Sequence, residues 1–251
     1  MDWHKRYLRQ ASWTRELRGY LLQQAGITRS RRILEVGCGT GAILQDLAPA
    51  GRAEGGRQPA VHGLDISSQV LTQCRAHAPG ALLTRADAQS LPFRPQIFEI
   101  TFCHFLLLWV KDAPRVLHEM RRVTQRGGHV IAFAEPAYNE RTDLPASLAR
   151  LGGLQQRSLI QQGADPTVGS RLARMFQDAG LRIVESGSLS QWQPSAVDDD
   201  TFTSEWEVLQ EDLKGFASEV ELDGWMEEDD RARRQGARLL HVPTFFVLAQ
   251  V

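Results

Sequence analysis

Ile33-Leu34-Glu35-Val36-Gly37-Cys38-Gly39-Thr40-Gly41 joins an apolar run holding one acid to three glycines at alternate positions. An apolar run that meets a glycine turn and continues into Ile43-Leu44 reads as a buried strand feeding a helix. Glycine lets the backbone turn tightly and approach a ligand that a side chain would hold off. The acid separates the candidate ligands. Phosphate-binding turns aim amide N–H groups at an anion, whereas Glu35 repels a pyrophosphate and suits a cation. S-adenosylmethionine (SAM) carries a sulfonium and an ammonium and matches that charge.

Outward from this stretch, strands are expected at 32–36, 61–65, 81–86, 97–103, 129–134, 181–184 and 244–249. The helix after the glycine turn should end at Pro49, and 52–59 read as a glycine-rich surface loop. Ser67 or Ser68 caps a helix that Pro79-Gly80 stops. Asp112 and Pro114 open one with Val116, Leu117, Met120 and Val123 on a single face, which Gly127-Gly128 should close. Trp13, Leu17, Tyr20 and Leu21 recur at helical spacing before Gly26. Leu148, Leu151 and Leu154 suggest another helix, followed by a polar loop at 161–166. A further helix carries Leu172, Met175 and Phe176. Phe202, Trp206, Leu209, Leu213 and Phe216 form a packing stripe behind Asp198-Asp199-Asp200. The acidic and basic residues at 227–234 read as a solvated turn or helix end. Alternating strand and helix predict an α/β fold with a doubly wound, mostly parallel seven-stranded sheet, its ligands at the strand C-termini. The expected organisation is one domain over 1–251, with a helical cap at 1–25 and helical insertions at 137–168 and 198–238.

Composition narrows the function. The 29 Lys and Arg nearly balance 30 Asp and Glu, for a net charge of -1, so no global field favours nucleic acid or anionic lipid. Cys38, Cys74 and Cys103 are scattered without metal-ligand spacing, which argues against a metal site or a disulfide framework. The first residues lack an apolar signal core and no run approaches membrane-spanning length. A reduced, cytoplasmic enzyme acting on a small molecule is the expectation; oligomeric state is not legible.

Glycines alone leave two cofactors open, since Ala42 completes G-x-G-x-x-A and a nicotinamide dinucleotide would also use it. Asp65 ends the second strand where an acid accepts ribose hydroxyls, which serves either cofactor. Asp87, after the third strand, is positioned to accept from an adenine amino group. Glu35-Val36-Gly37-Cys38-Gly39-Thr40-Gly41, Gly63-Leu64-Asp65-Ile66-Ser67, Asp87-Ala88-x-x-Leu91-Pro92-Phe93 and Arg122-Val123-x-x-x-Gly127-Gly128 together resemble the ordered motifs of class I SAM-dependent methyltransferases. More narrowly they are similar to the small-molecule branch related to ubiquinone and menaquinone biosynthesis, over roughly residues 30–136.

The resemblance implies SAM as cofactor, S-adenosylhomocysteine (SAH) as product, and a role for each matching position. Gly37, Cys38, Gly39 and Gly41 would wrap the methionyl part, with Glu35 near its ammonium. Asp65 would hold the ribose and Ile66 would lie against the adenine, whose edge Asp87 and the Ala88 N–H would read. The Cys103 carbonyl would face the ammonium, turning His104 toward the methyl. Glu99 stands where the family has aspartate, and Gln125-Arg126 replaces its Lys-Pro; both lie away from the cofactor contacts. The sequence after the fourth strand, Cys103-His104-Phe105, matches neither the amino-directed nor the cytosine-directed DNA methyltransferases.

His104 has the ordinary pKa of a general base near neutral pH and is the catalytic candidate, with a ribose or carboxylate contact as its other reading. Tyr7 and Trp13 are candidates for a lid, or for core aromatics. Tyr138 follows the fifth strand at the ligand edge and is a candidate for the acceptor pocket. The expected function is in-line methyl transfer to a small molecule. A dinucleotide-dependent oxidoreductase and a catalytically silent SAM-binding protein are the rivals. The first lacks a Tyr-x-x-x-Lys pair.

Overall fold

Strands buried on both faces read as continuous apolar runs, and the inner strands here do so because helices cover both sides of their sheet. The computed structural model describes residues 3–48, 58–189 and 199–251. In chain order its elements are α1 (Trp3–Trp13), α2 (Arg15–Gln24), β1 (Arg32–Val36), α3 (Leu44–Leu47), β2 (Ala60–Asp65), α4 (Ser68–His77), β3 (Leu82–Arg85), β4 (Phe98–Cys103), α5 (Ala113–Val123), β5 (Thr124–Pro136), β6 (Thr142–Leu144), α6 (Ala149–Gln161), α7 (Val168–Asp178), β7 (Arg182–Leu189), α8 (Asp199–Leu213), α9 (Glu219–Arg234), β8 (Leu239–His241) and β9 (Thr244–Gln250).

Seven strands form one sheet in the order β3-β2-β1-β4-β5-β9-β7. Neighbours from β3 to β5 are parallel, while β9 runs antiparallel to both β5 and β7. This is the doubly wound, mostly parallel sheet that the alternation predicts. Chain order reverses between β1 and β4, and there the diverging connections leave a crevice beyond the strand C-termini. Gly37 and His104, the residues that follow those two strands, sit at its mouth.

Helices α5 and α7 bury their apolar faces against one side of the sheet, with Val116, Leu117, Met120 and Phe176 all fully inaccessible. On the other side, residues of α2, α3 and α4 pack over Ile33, Ile100, Phe102 and Phe133. Local chemistry fixes the helix starts. The Ser67 hydroxyl accepts the Val70 N–H at 3.4 Å, and the Asp112 carboxylate accepts the Arg115 N–H at 2.9 Å. A third cluster, built from Leu148, Leu151, Leu154, Trp206, Leu213 and Leu222, joins α6, α8 and α9.

Several local expectations are corrected. Gly127-Gly128 do not close α5: the helix ends at Val123 and β5 begins at once. The pairing of β4 with β5 skips from Phe98↔Thr124 to Ile100↔His129, so the two glycines occupy a bulge. A Cβ on Gly128 would stand 2.6 Å from the Glu99 carbonyl oxygen, which is why glycine is needed there. The helix after the glycine turn is a single turn. Its expected end at Pro49, most of the 52–59 loop and Asp198 lie outside the described residues. Thr14 divides the N-terminal helix into α1 and α2. Residues 227–234 are the C-terminal half of α9, in keeping with the expected helix end; a Ser218–Glu221 capping box opens that helix, and Ala232 is buried in it. The β6–β8 ribbon was not expected from sequence. Its strands are three residues each, held by Asp143, which accepts from Arg141 at 2.7 and 2.9 Å and from Arg238 at 2.8 Å. No helix among the described residues is long and apolar enough to cross a membrane.

Candidate active site

The glycine turn is tied to the end of β2 by its own backbone. The Gly37 and Cys38 N–H groups both donate to the Leu64 carbonyl, at 2.8 and 2.9 Å. Gly37 and Gly39 have φ of +75° and +52°, in the left-handed region that costs other residues energy. A Cβ on Gly37 would approach Leu106 Cδ1 to 2.6 Å. Asp65 then locks the turn: Oδ2 accepts the Gly39 N–H at 3.0 Å and Oδ1 the Ser67 N–H at 2.9 Å. Each carboxylate oxygen keeps a second lone pair for a ligand hydroxyl.

A cavity of about 740 Å³ opens above this turn, within the range of small-molecule sites. Glu35, Gly37, Cys38, Gly39, Asp65 and Ile66 line one side. Asp87, Ala88, His104, Tyr7 and Tyr138 complete the expected residues that reach it. Ile66 is 64% exposed, an apolar side chain standing at the entrance. Asp87 accepts from the backbone N–H of Gln89 at 2.8 Å, which fixes its carboxylate beside the buried Ala88. Three expected residues do not line the cavity. Gly41 turns toward α4, where a Cβ would meet Cys74 Sγ at 2.9 Å. Cys103 is fully buried with its thiol toward Glu135 at 3.8 Å. Trp13 lies over a neighbouring, smaller cavity.

Glu35 is the electrostatic centre of the larger cavity. The residue is 3% exposed, and its buried Oε2 has no hydrogen-bond partner among the described residues. Burial holds its pKa well above the usual carboxylate value, the nearby Cys74 and Asp65 reinforce that, and the Arg18 guanidinium opposes it. A buried, unpartnered acid facing a cavity is satisfied by a cationic ligand. The Cys38 thiol is also held up, first by its hydrogen bond to Cys74 and then by burial, and so stays protonated.

His104 is tied to the N-terminal helices. Its Nε2 lies 3.0 Å from the Thr14 hydroxyl, which itself accepts from Arg18 at 2.5 Å. Arg18 also donates to the Ala11 carbonyl and stands 3.8 Å from Asp46. The Thr14 hydroxyl also donates to the Ala11 carbonyl at 3.3 Å, so Thr14 links His104, Arg18 and the end of α1. Burial and the Arg18 charge push the imidazole down to about 3. A group of this basicity takes protons poorly at neutral pH, which weighs against a general-base role for His104.

Sequence reading missed Glu135, whose side chain is fully buried at the end of β5. Its Oε1 accepts the Leu106 N–H at 3.0 Å and its Oε2 the Leu108 N–H at 3.4 Å. Those bonds shape the turn after β4, including Phe105 at φ +51°, that walls the cavity. Burial raises the carboxyl to about 7 against the opposing pull of the N–H groups. Also missed was the α1 face. Trp3, Arg6, Tyr7 and Gln10 line the larger cavity, and their spacing is that of one helical stripe.

The smaller cavity, about 180 Å³, lies between α1, α8 and the β6–β8 ribbon. Arg6, Gln10, Phe105, Tyr138, Gln155 and Val208 line both cavities and form their junction.

Comparison with known proteins agrees with this layout. Residues 34–132 match a family described as "Methyltransferase domain". The chain is 31% identical over 125 residues to a malonyl-[acyl-carrier protein] O-methyltransferase of Pectobacterium atrosepticum, covering 50% of this chain and 46% of that protein. It spans about half the length of the curated relatives it matches. Among solved structures, a Bacillus halodurans protein described as a candidate methyltransferase superposes with a TM-score of 0.60 at 15% identity, over 92% of this chain and 97% of that one. A Haemonchus contortus phosphoethanolamine N-methyltransferase in complex with SAM gives 0.58 at 17% identity, over 92% and 51%. Those two share the fold. Residues 34–132 are thus similar to a methyltransferase domain, and the strand order and glycine turn agree with that match.

Proposed function

We propose that this chain, acting as one domain, binds SAM in the larger cavity and transfers its methyl group to a small molecule held in the smaller one. The observation that carries this reading is the unpartnered, buried Oε2 of Glu35 beside the glycine turn. A pyrophosphate would meet that carboxylate unfavourably, which sets the nicotinamide reading behind. Bound there, SAM supplies an electrophilic methyl group on a sulfonium.

The chain's own residues bind, orient and exclude water. Glu35 balances the amino-acid ammonium beside the backbone of Gly37, Cys38 and Gly39, and Gly41 completes the turn. Asp65 accepts the ribose hydroxyls with the lone pairs left by Gly39 and Ser67. Ile66 covers the adenine, while Asp87 and the Ala88 N–H read its edge. Cys103 contributes its carbonyl, since its thiol faces Glu135. Tyr7 closes over the glycine turn, whereas Trp13 and Tyr138 belong to the acceptor side. His104 is a neutral, hydrogen-bonded wall, so rate enhancement rests on alignment and desolvation. A reducing, cytoplasmic setting fits the three buried, unpaired cysteines.

Thermal shift with each ligand tests the reading, because a ligand that binds only the native state raises Tm. SAM and SAH should stabilise the chain and NAD should not. Stabilisation by NAD alone would overturn it.

A further inference from the structure

The charges around the junction are unevenly paired. Arg141 is paired with Asp143 at 2.7 Å, and Arg238 with Asp143 and Asp229. Arg233 pairs with Asp199 and Asp230. Asp212 accepts from Gln155 and Gln162, both at 3.2 Å. The Arg6 guanidinium, by contrast, makes no ion pair or hydrogen bond with another described residue, although it lines both cavities. Burial raises the pKa of the Tyr138 hydroxyl, and among the surrounding charges Arg6 opposes that rise most. Glu205, on α8, lines only the smaller cavity and so marks the end away from the junction. The remaining walls are largely apolar or aromatic, among them Trp13, Phe105, Phe202 and Trp206. A dry cavity of about 150 Å³ accepts a benzene-sized body, and the smaller cavity is of that order.

We infer that the methyl acceptor is a flat, ring-sized molecule that presents an acidic oxygen, a carboxylate or phenolate, to Arg6 at the junction. This inference rests on the methyltransferase reading and adds the substrate class. A guanidinium binds a carboxylate or phenolate oxygen with charge-assisted hydrogen bonds and favours its ionised form. The oxyanion then arrives without a proton to lose, and a weakly basic His104 is no obstacle. An oxygen lone pair forms the new O–CH₃ bond as the S–CH₃ bond breaks, and that bonding pair returns to sulfur. The anion and the sulfonium are both neutralised. Neither proton nor electron is left over.

The test uses the full chain saturated with SAH and three probes of one shape: benzoate, benzamide and benzylamine, titrated by ligand-observed NMR. Benzoate should bind roughly tenfold tighter than either neutral or cationic analogue. Arg6→Gln should bring benzoate and benzamide within about twofold, and Arg6→Lys should keep part of the preference. SAH affinity of each variant reports that it is folded; if Arg6→Gln loses it, Arg6→Lys is compared with the parent instead. Equal binding of benzoate and benzamide, tighter benzylamine, or a benzoate preference that survives Arg6→Gln overturns the inference. Failure of SAH to bind the parent instead removes the methyltransferase reading, and this inference with it.

Discussion

The two cavities that meet at Arg6 and Tyr138 are built from different materials. The larger is floored by strand ends and a glycine turn, where backbone N–H groups and the carboxylates of Glu35, Asp65 and Asp87 set the positions. The smaller is enclosed by α1, α8 and a short ribbon, where long side chains make the walls. A backbone site is fixed by conformation, so few residues at few positions can form it. A side-chain site is fixed by packing, and many sequences can form the same helices while changing what they enclose. On the proposed reading, the floor carries an address for the cofactor and the cover carries the choice of acceptor.

The sharpest way to break this division is at Gly39. Its φ of +52° is poorly tolerated by a β-branched residue, and its N–H is already committed to Asp65. Gly39→Val should lower SAH affinity by more than about 100-fold, measured by calorimetry, while circular dichroism still reports a folded chain. Next comes Asp65→Ala, which removes the proposed acceptor for ribose hydroxyls and the lock on the glycine turn. It should cost about 2–4 kcal/mol of SAH affinity; unchanged binding in a folded variant would misplace the ribose.

Glu135 tests whether the wall after β4 is as fixed as the floor. Its folded pKa, about 7, lies above the ordinary 4.5, so the native state holds its proton more tightly than the unfolded chain. Its contribution to stability is fully present below pH 4.5 and is lost as pH rises through 7, a change of about 3 kcal/mol. Urea unfolding of the parent and Glu135→Gln at about pH 5, 6.5 and 8 should show the variant gaining on the parent as pH rises. Parallel profiles would mean that this carboxyl is not strained by burial. The smallest effect separates floor from cover directly. Tyr7→Ala should weaken SAH by about 1 kcal/mol, since its ring comes within 3.6 Å of the position a Gly39 Cβ would take. Trp13→Ala, confined to the smaller cavity, should leave SAH affinity within about twofold.

The same contrast explains what was legible in the sequence. The strands from Arg32 to Pro136 announce themselves because apolar runs broken by glycine and proline leave few alternatives. Asp65 and Asp87 follow from their places at strand ends. The bulge at Gly127-Gly128 was misread because a glycine pair after a helix looks the same whether it stops the helix or kinks a strand. Glu135 was invisible for a related reason: an acid after an apolar strand is ordinarily solvated, and only the fold reveals the backbone N–H groups of Leu106, Leu107 and Leu108 turned toward it. On the cover, the spacing of Trp3, Arg6, Tyr7 and Gln10 was readable as a helix face, yet nothing local distinguishes a face over a ligand from one over a core. The ribbon of β6 and β8 pairs Thr142 with His241, far beyond the reach of any local pattern.

The proposed cofactor site depends above all on Glu35 as the partner of a ligand cation. Calorimetric titration of SAH into the protein, repeated in two buffers of different ionisation enthalpy, measures both affinity and proton exchange. Because burial holds the free Glu35 carboxyl well above its usual range, an incoming ammonium should draw it into the ionised form and release a proton. SAH should therefore bind with net proton release near neutral pH, and Glu35→Gln should lose that release. Tight SAH binding with identical proton exchange in parent and variant, or binding of NAD in place of SAH, would contradict this role for Glu35.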